Sequence, residues 1–282
     1  MRKRTLLFSF CLLSALSSCG PQKEEKVIYA SFAPIAEFAK GVVGNHYEVK
    51  CLTPSGGEPH DHEITPKQVV GIEKSSLLLV NGLGMESYLS SLSDKVLKKT
   101  LVLSKGMDIR QIGGVDDPHI WLSPRLAYRE CEKIADKVIE LDPENQKEYE
   151  ANLASMKDKF LTVDSAYQTA CASFTQKHVL VAHAAFGYLC DAYGLSQLYV
   201  SGLSPDAEPT SKQLGVLLNE VKKYSLTTIF YEESVSGDIA LKIAKETGLK
   251  TDTLETMETD EGEGDYFSKS LVNLAKLKEA CS

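Results

Sequence analysis

Three of the chain's six histidines sit in settings that suit a divalent metal ion. They are His60 in Gly56-Gly57-Glu58-Pro59-His60-Asp61-His62-Glu63, His119 in Asp117-Pro118-His119-Ile120-Trp121-Leu122, and His183 in Val181-Ala182-His183-Ala184-Ala185-Phe186. Neutral imidazole is the commonest protein ligand for such metals, and several on converging loops make a site. Each of these residues follows a strand-like run or lies in a Gly/Pro-rich loop, where α/β folds present their ligands. The Gly56-Gly57 pair before His60 lets backbone come close to whatever is bound. The last strand-like run ends in Thr253-Leu254-Glu255, so Glu255 is the expected carboxylate ligand. Asp117 is placed either to orient an imidazole from behind or to cap a helix. His62 is two positions from His60 and points the other way in an extended loop, which makes it a non-ligand.

The elements that must carry these residues alternate strand with helix. Strand-like runs cover 27–30, 47–52, 77–81, 101–104, 179–182, 197–201, 228–231 and 251–254; helical stretches include 34–43, 66–74, 86–92, 212–224 and 239–248. Such alternation predicts parallel sheets, and the strands fall into two groups of four. Between the groups, from Pro143 to Phe174, there is no further Gly or Pro. There Tyr149, Leu153, Met156, Phe160, Val163, Tyr167, Ala170 and Phe174 recur four and three apart, a single helical stripe. At 1.5 Å per residue this is a rod of about 46 Å. A coiled-coil segment is the alternative, but the position midway between the strand groups favours a rigid spine joining two lobes. The predicted architecture is α/β: an N-terminal lobe (27–142) and a C-terminal lobe (175–282), each with a four-stranded, mostly parallel sheet, joined by a linker helix (143–174). Ligands from both lobes would then meet in the crevice between them.

The N-terminus reads as a targeting segment over residues 1–18, with Arg2, Lys3 and Arg4 ahead of an apolar stretch too short to span a bilayer. Leu16-Ser17-Ser18-Cys19 resembles a bacterial lipobox, which would make Cys19 the lipidated residue; residues 19–26 are a polar tether. A net charge of −8 argues against nucleic acid as a partner. Cys51, Cys131, Cys171, Cys190 and Cys281 show no CxxC spacing. Export permits disulfides, but their pairing cannot be read from the sequence. No HExxH helix and no GxSxG elbow occurs, so the pattern supports capture of a metal over an exported zinc hydrolase.

Across its mature length the chain resembles the substrate-binding lipoproteins of zinc or manganese ABC importers, the type with a helical backbone. The resemblance rests on five segments in order: Gly56 to Pro66, Asn81 to Glu86, Asp117 to Pro124, His183 to Leu195, and Ser204 to Pro209. It implies that His60, His119 and His183 are ligands, that an ABC permease in the membrane is the partner, and that the lobes move little on binding. It also implies a monomer exported to the periplasm or cell surface, anchored at Cys19, carrying Zn2+ as cargo and catalysing nothing. A manganese or iron receptor, or an adhesin-like lipoprotein, are the alternatives within reach of the same resemblance. Two departures stand out. Leu254-Glu255-Thr256-Met257 replaces the common Leu-Asp-Pro-Leu, so Glu58 or water could serve in place of Glu255. The stretch before His119 is also short and lacks the histidine-rich loop of many zinc members.

Overall fold

The structure, a computed structural model, describes residues 25–204, 210–232, 237–260 and 263–282. Cys19 and the targeting segment lie outside the described residues, as do residues 205–209 of the last matching segment. The first lobe contains β1 (Glu25–Ala30), α1 (Ala33–Val43), β2 (Glu48–Cys51), α2 (Pro66–Lys74), β3 (Ser75–Val80), α3 (Asp94–Leu97) and β4 (Thr100–Val102). Its sheet is parallel throughout, in the order β2-β1-β3-β4. A two-stranded antiparallel hairpin follows, β5 (Gln111–Ile112) and β6 (Val115–Asp116), then α4 (Pro124–Leu141). The second lobe holds β7 (His178–Val181), α6 (Gly187–Ala192), β8 (Ser196–Tyr199), α7 (Ser211–Lys223), β9 (Thr228–Tyr231), α8 (Asp238–Thr247), β10 (Lys250–Thr253) and α9 (Tyr266–Cys281). Its parallel sheet runs β10-β9-β7-β8.

Between the lobes runs α5 (Gln146–Ser173), 28 residues or about 42 Å of helix. Its buried face is Tyr149, Met156, Phe160, Val163, Tyr167 and Cys171, close to the stripe expected from the spacing. The preceding Pro143–Asn145 forms a separate single 3-10 turn, because Asp142 ends α4 and its carboxylate receives the Tyr149 hydroxyl at 2.7 Å, the Asn145 amide at 2.9 Å and Lys26 Nζ at 3.0 Å. These bonds hold the Asp142 carboxyl at about 2, although burial alone would push it up.

The period-two alternation of the strands sorts their side chains into three cores. Leu77 and Leu79 of β3, Val179 and Val181 of β7, and Phe230 of β9 face inward to one central core with α1, α4, α5 and α9. Leu78 and Val80 face out to a smaller core under α2 and α3, while Leu180 and Ile229 face out to another under α7 and α8. The central core is therefore shared by both lobes and the spine.

Two local expectations changed. Residues 86–92 form only a 3-10 segment, Ser87–Ser91, because the Glu86 carboxylate turns back to accept the N–H groups of Asn81 and Gly82 at 2.8 and 2.9 Å. The β5-β6 hairpin was not expected; Gly113 and Gly114 make its turn at φ of 61° and 86°, which a side chain would resist. Among the described residues no helix is long and apolar enough to cross a membrane.

Candidate metal centre

Four loops, two from each lobe, bring His60, His119, His183 and Glu258 together, each offering one ligand atom within 4.8 Å of the others. His60 lies in a 3-10 turn, Pro59–Asp61, and the Glu58 carboxylate fixes that turn by accepting the His60 N–H at 3.0 Å. His119 follows the hairpin and precedes another such turn, Ile120–Leu122. Its loop is pinned by Asn81, whose amide donates to the Pro118 carbonyl at 2.9 Å. His183 stands two residues past β7, and Glu258 lies in the loop between β10 and α9.

The ring orientations are set from behind. His119 Nδ1 faces Asp117 Oδ1 at 2.8 Å, and the same oxygen accepts the His119 N–H at 3.1 Å. His183 Nδ1 pairs with Glu232 Oε1, while Glu232 Oε2 accepts the Thr256 hydroxyl at 2.8 Å. With each Nδ1–H given to a carboxylate, each Nε2 lone pair is left facing inward, the arrangement that raises ligand basicity and fixes the tautomer. His119 Nε2 is 3.3 Å from His183 Nε2 and 3.3 Å from Glu258 Oε1; His60 Nε2 is 3.5 Å from the same oxygen. Ligand atoms about 2.0–2.1 Å from a tetrahedral zinc stand roughly 3.3 Å from one another, so these separations suit that ion.

Burial makes the cluster costly without a cation. His119, His183 and Glu258 are at most 2% exposed, and only His60, at 13%, reaches the surface. His60 Nε2 and Glu258 Oε1 are buried without a hydrogen-bond partner. Burial favours neutral imidazole at His119, but Asp117 and Glu258 outweigh it and push its pKa up to about 9. Burial likewise works against charge on Glu258, yet the His119 and His60 rings hold it well below the usual carboxylate range. Glu58, half-buried and near Glu258, is raised.

Glu255, the expected carboxylate, is not in the cluster. Its N–H donates to Asn273 Oδ1 and its carbonyl accepts from Asn273 Nδ2, both at 2.8 Å, which locks that stretch against α9. The chain then turns at Met257, in the left-handed region at φ 60°, and Glu258 is the carboxylate delivered inward. The departure from the family pattern at Leu254–Met257 thus lies in the loop that supplies a carboxylate to the cluster, but the carboxylate brought to the histidines is Glu258 and not Glu255. Glu58 is engaged with the His60 backbone, outside the donor set. His62 Nε2 is buried and faces the Tyr88 ring, 6.3 Å between centroids. Trp121 packs edge-on against Phe32 and donates to the Thr256 carbonyl at 2.8 Å. Glu232, which the sequence analysis did not single out, orients His183; its place just past β9, parallel to the β7 end that carries His183, was the available signal.

Two parallel-sheet lobes on a helical spine, with three imidazoles and a carboxylate buried between them, define a metal-binding protein of the two-lobed receptor class. The chain belongs to the family described as zinc-uptake complex component A, periplasmic, whose model matches residues 28–280. It is 33% identical to the high-affinity zinc uptake system protein ZnuA of Bacillus subtilis, the match covering 98% of this chain and 94% of that one. It is also 33% identical to the zinc-binding lipoprotein AdcA of Streptococcus pneumoniae, where the match covers 99% of this chain but 61% of the longer relative. Among solved structures, the laminin-binding protein of Streptococcus agalactiae, described as a bifunctional protein with adhesin and metal transporting activity, superposes with a TM-score of 0.84 at 29% identity, covering 90% of this chain and 98% of its own. The AdcAII protein of Streptococcus pneumoniae gives 0.83 at 31%, covering 92% and 99%.

Proposed function

We propose that this protein is an extracytoplasmic receptor that captures zinc and delivers it to an ABC-type permease. The observation that carries the reading is the buried set of His60, His119, His183 and Glu258, whose three nitrogens and one oxygen lie within 4.8 Å of one another. Imidazole-rich sites favour zinc, whereas manganese sits at the weak end of the divalent series and suits oxygen donors. The zinc-uptake and zinc-binding names of the relatives support the same cargo.

The chemistry is capture without bond-making. Four protein donors complete a tetrahedron, leaving no open position for the activated water that zinc hydrolases need. Each lobe supplies two donors, so the ion closes the crevice and changes the surface that a permease meets. The protein acts as a monomer, made with a signal peptide over 1–18 and held to a membrane by lipid on Cys19 through the tether 19–26. The lobes comprise 27–142 and 175–282 around the linker 143–174.

The test is a melting experiment with metal-free protein. One equivalent of zinc should raise the midpoint in a single cooperative step, because binding to the folded state alone adds about 4.1 kcal/mol at a thousandfold excess over Kd. An unchanged midpoint would refute an interlobe zinc site.

A further inference from the structure

Asp117 is fully buried and its two oxygens face different groups. Oδ1 holds His119, while Oδ2 faces Arg110 Nε at 3.5 Å, and neither Oδ2 nor Nε has another hydrogen-bond partner. The same guanidinium pairs with Asp191 of α6 and lies 5.9 Å from the centroid of the Tyr188 ring. It also rests on Gly187, where an added Cβ would fall 2.5 Å from Nε, so the glycine leaves the space that the guanidinium occupies. Tyr188 closes the circuit: its hydroxyl accepts the Arg110 N–H at 3.0 Å and donates to the Asp117 carbonyl at 2.8 Å. Arg110 lies in the first lobe just before the hairpin, whereas Gly187, Tyr188 and Asp191 all belong to the second lobe.

We infer that Arg110 is a positioning residue for the bound metal, acting through Asp117 on His119 and, through Tyr188 and Asp191, tying that histidine's loop to the opposite lobe. The inference rests on the metal-binding reading above. A buried carboxylate without a cation beside it has no fixed second partner and is free to turn, and the imidazole it orients turns with it. With Arg110 in place, Asp117 has one orientation in which both oxygens face a partner, and His119 has one ring orientation in which Nε2 meets the ion. Loss of an outer residue that orients a metal-binding histidine costs roughly 10–100-fold in metal affinity. A role in general packing would instead leave the ligand geometry and the coupling to Asp117 untouched.

The experiment is competitive zinc titration of the full chain against a chromophoric chelator, for wild type, Arg110→Ala, Asp117→Asn and the double variant. Visible spectra of the cobalt-loaded forms report the ligand geometry. Arg110→Ala should lose at least tenfold in zinc affinity and shift the cobalt bands. The double variant should be no more than a few-fold worse than the weaker single variant, because both changes break one linkage. A loss under tenfold, losses that multiply in the double variant, or an unaltered cobalt spectrum overturns the inference. If Arg110→Ala does not fold, as judged by circular dichroism of the apo protein, Arg110→Gln is read in the same way. Failure of the wild type to bind zinc would refute the metal reading and this inference together, whereas the other outcomes refute the inference alone.

Discussion

Replacing Glu258 by Gln tests the donor set most directly. The substitution keeps size and burial but removes the charge from a carboxylate that is 2% exposed and stands 3.3 and 3.5 Å from two histidine nitrogens. As a ligand, that carboxylate would neutralise half the charge of a divalent ion; in the variant only the carboxylates behind the rings, Asp117 and Glu232, would remain to offset it. A hydrogen bond or contact to a charged group is worth about 1.5–3 kcal/mol, and the upper value corresponds to a loss of roughly a hundredfold in affinity. At fixed excess zinc, a hundredfold weaker Kd removes about 2.7 kcal/mol of ligand-induced stability. At about 2–4 °C per kcal/mol for a chain of this class, the zinc-induced rise in Tm should shrink by about 5–10 °C. Glu255→Ala is the matched control: its backbone, not its side chain, makes the two bonds to Asn273, so zinc affinity should stay within threefold. Competitive titration and thermal melting of the two variants side by side give both numbers. Near wild-type affinity in Glu258→Gln, or an equal loss in Glu255→Ala, would show that the inward carboxylate is not a ligand.

Alanine at His60, His119 or His183 should weaken zinc binding far more than alanine at His62, whose ring faces Tyr88, and calorimetric titration of the four variants would expose an error if His60→Ala and His62→Ala behaved alike. Zinc should outcompete manganese by several orders of magnitude near neutral pH, with His183→Glu narrowing the gap; equal affinities in the wild type would leave the receptor reading standing but not its cargo. Asp142 supplies a pH prediction away from the site. Because its folded pKa is about 2 against an ordinary 3.8, its stabilisation is complete above the ordinary value and is lost as pH falls toward 2. Asp142→Asn should therefore cost about 1–2 kcal/mol at neutral pH and almost nothing near pH 2 in urea unfolding, whereas a deficit independent of pH would refute the linkage.

The sheets and spine were legible because their signals are local and repeated. Val179 to Val181 alternates between the two cores it separates, and the α5 stripe keeps one face over about six turns. The hairpin carried a readable mark in Gly113-Gly114 between Ile112 and Val115 that the strand spacing alone obscured. Of the site, the three histidines announced themselves through loop composition. Glu258 did not, because its direction depends on a positive φ at Met257 and on the clamp that Asn273 places on Glu255, eighteen residues before it. Counting from the end of β10 selects the first carboxylate, whereas the fold brings the one after the turn beside the histidines. The partners behind the rings, Glu232 and Arg110, depend on contacts 49 and 81 positions apart in sequence, through His183 and Asp191 respectively, and no periodicity encodes such pairings.

The shared central core also decides how the molecule comes apart. Side chains of β3, α5 and β9 belong to one continuous apolar body, so neither half of the chain keeps a complete interior when the other is removed. Amide protons at the centres of both sheets should accordingly exchange through the same rare global opening, while those under α2 and α7, which cover the separate outer cores, are free to exchange through smaller local openings. A chain cut within the spine would yield two sticky fragments instead of two domains. For a protein of this design, new sequence is accommodated at the rim, at places such as the tip of the short hairpin, and not at the join between its halves.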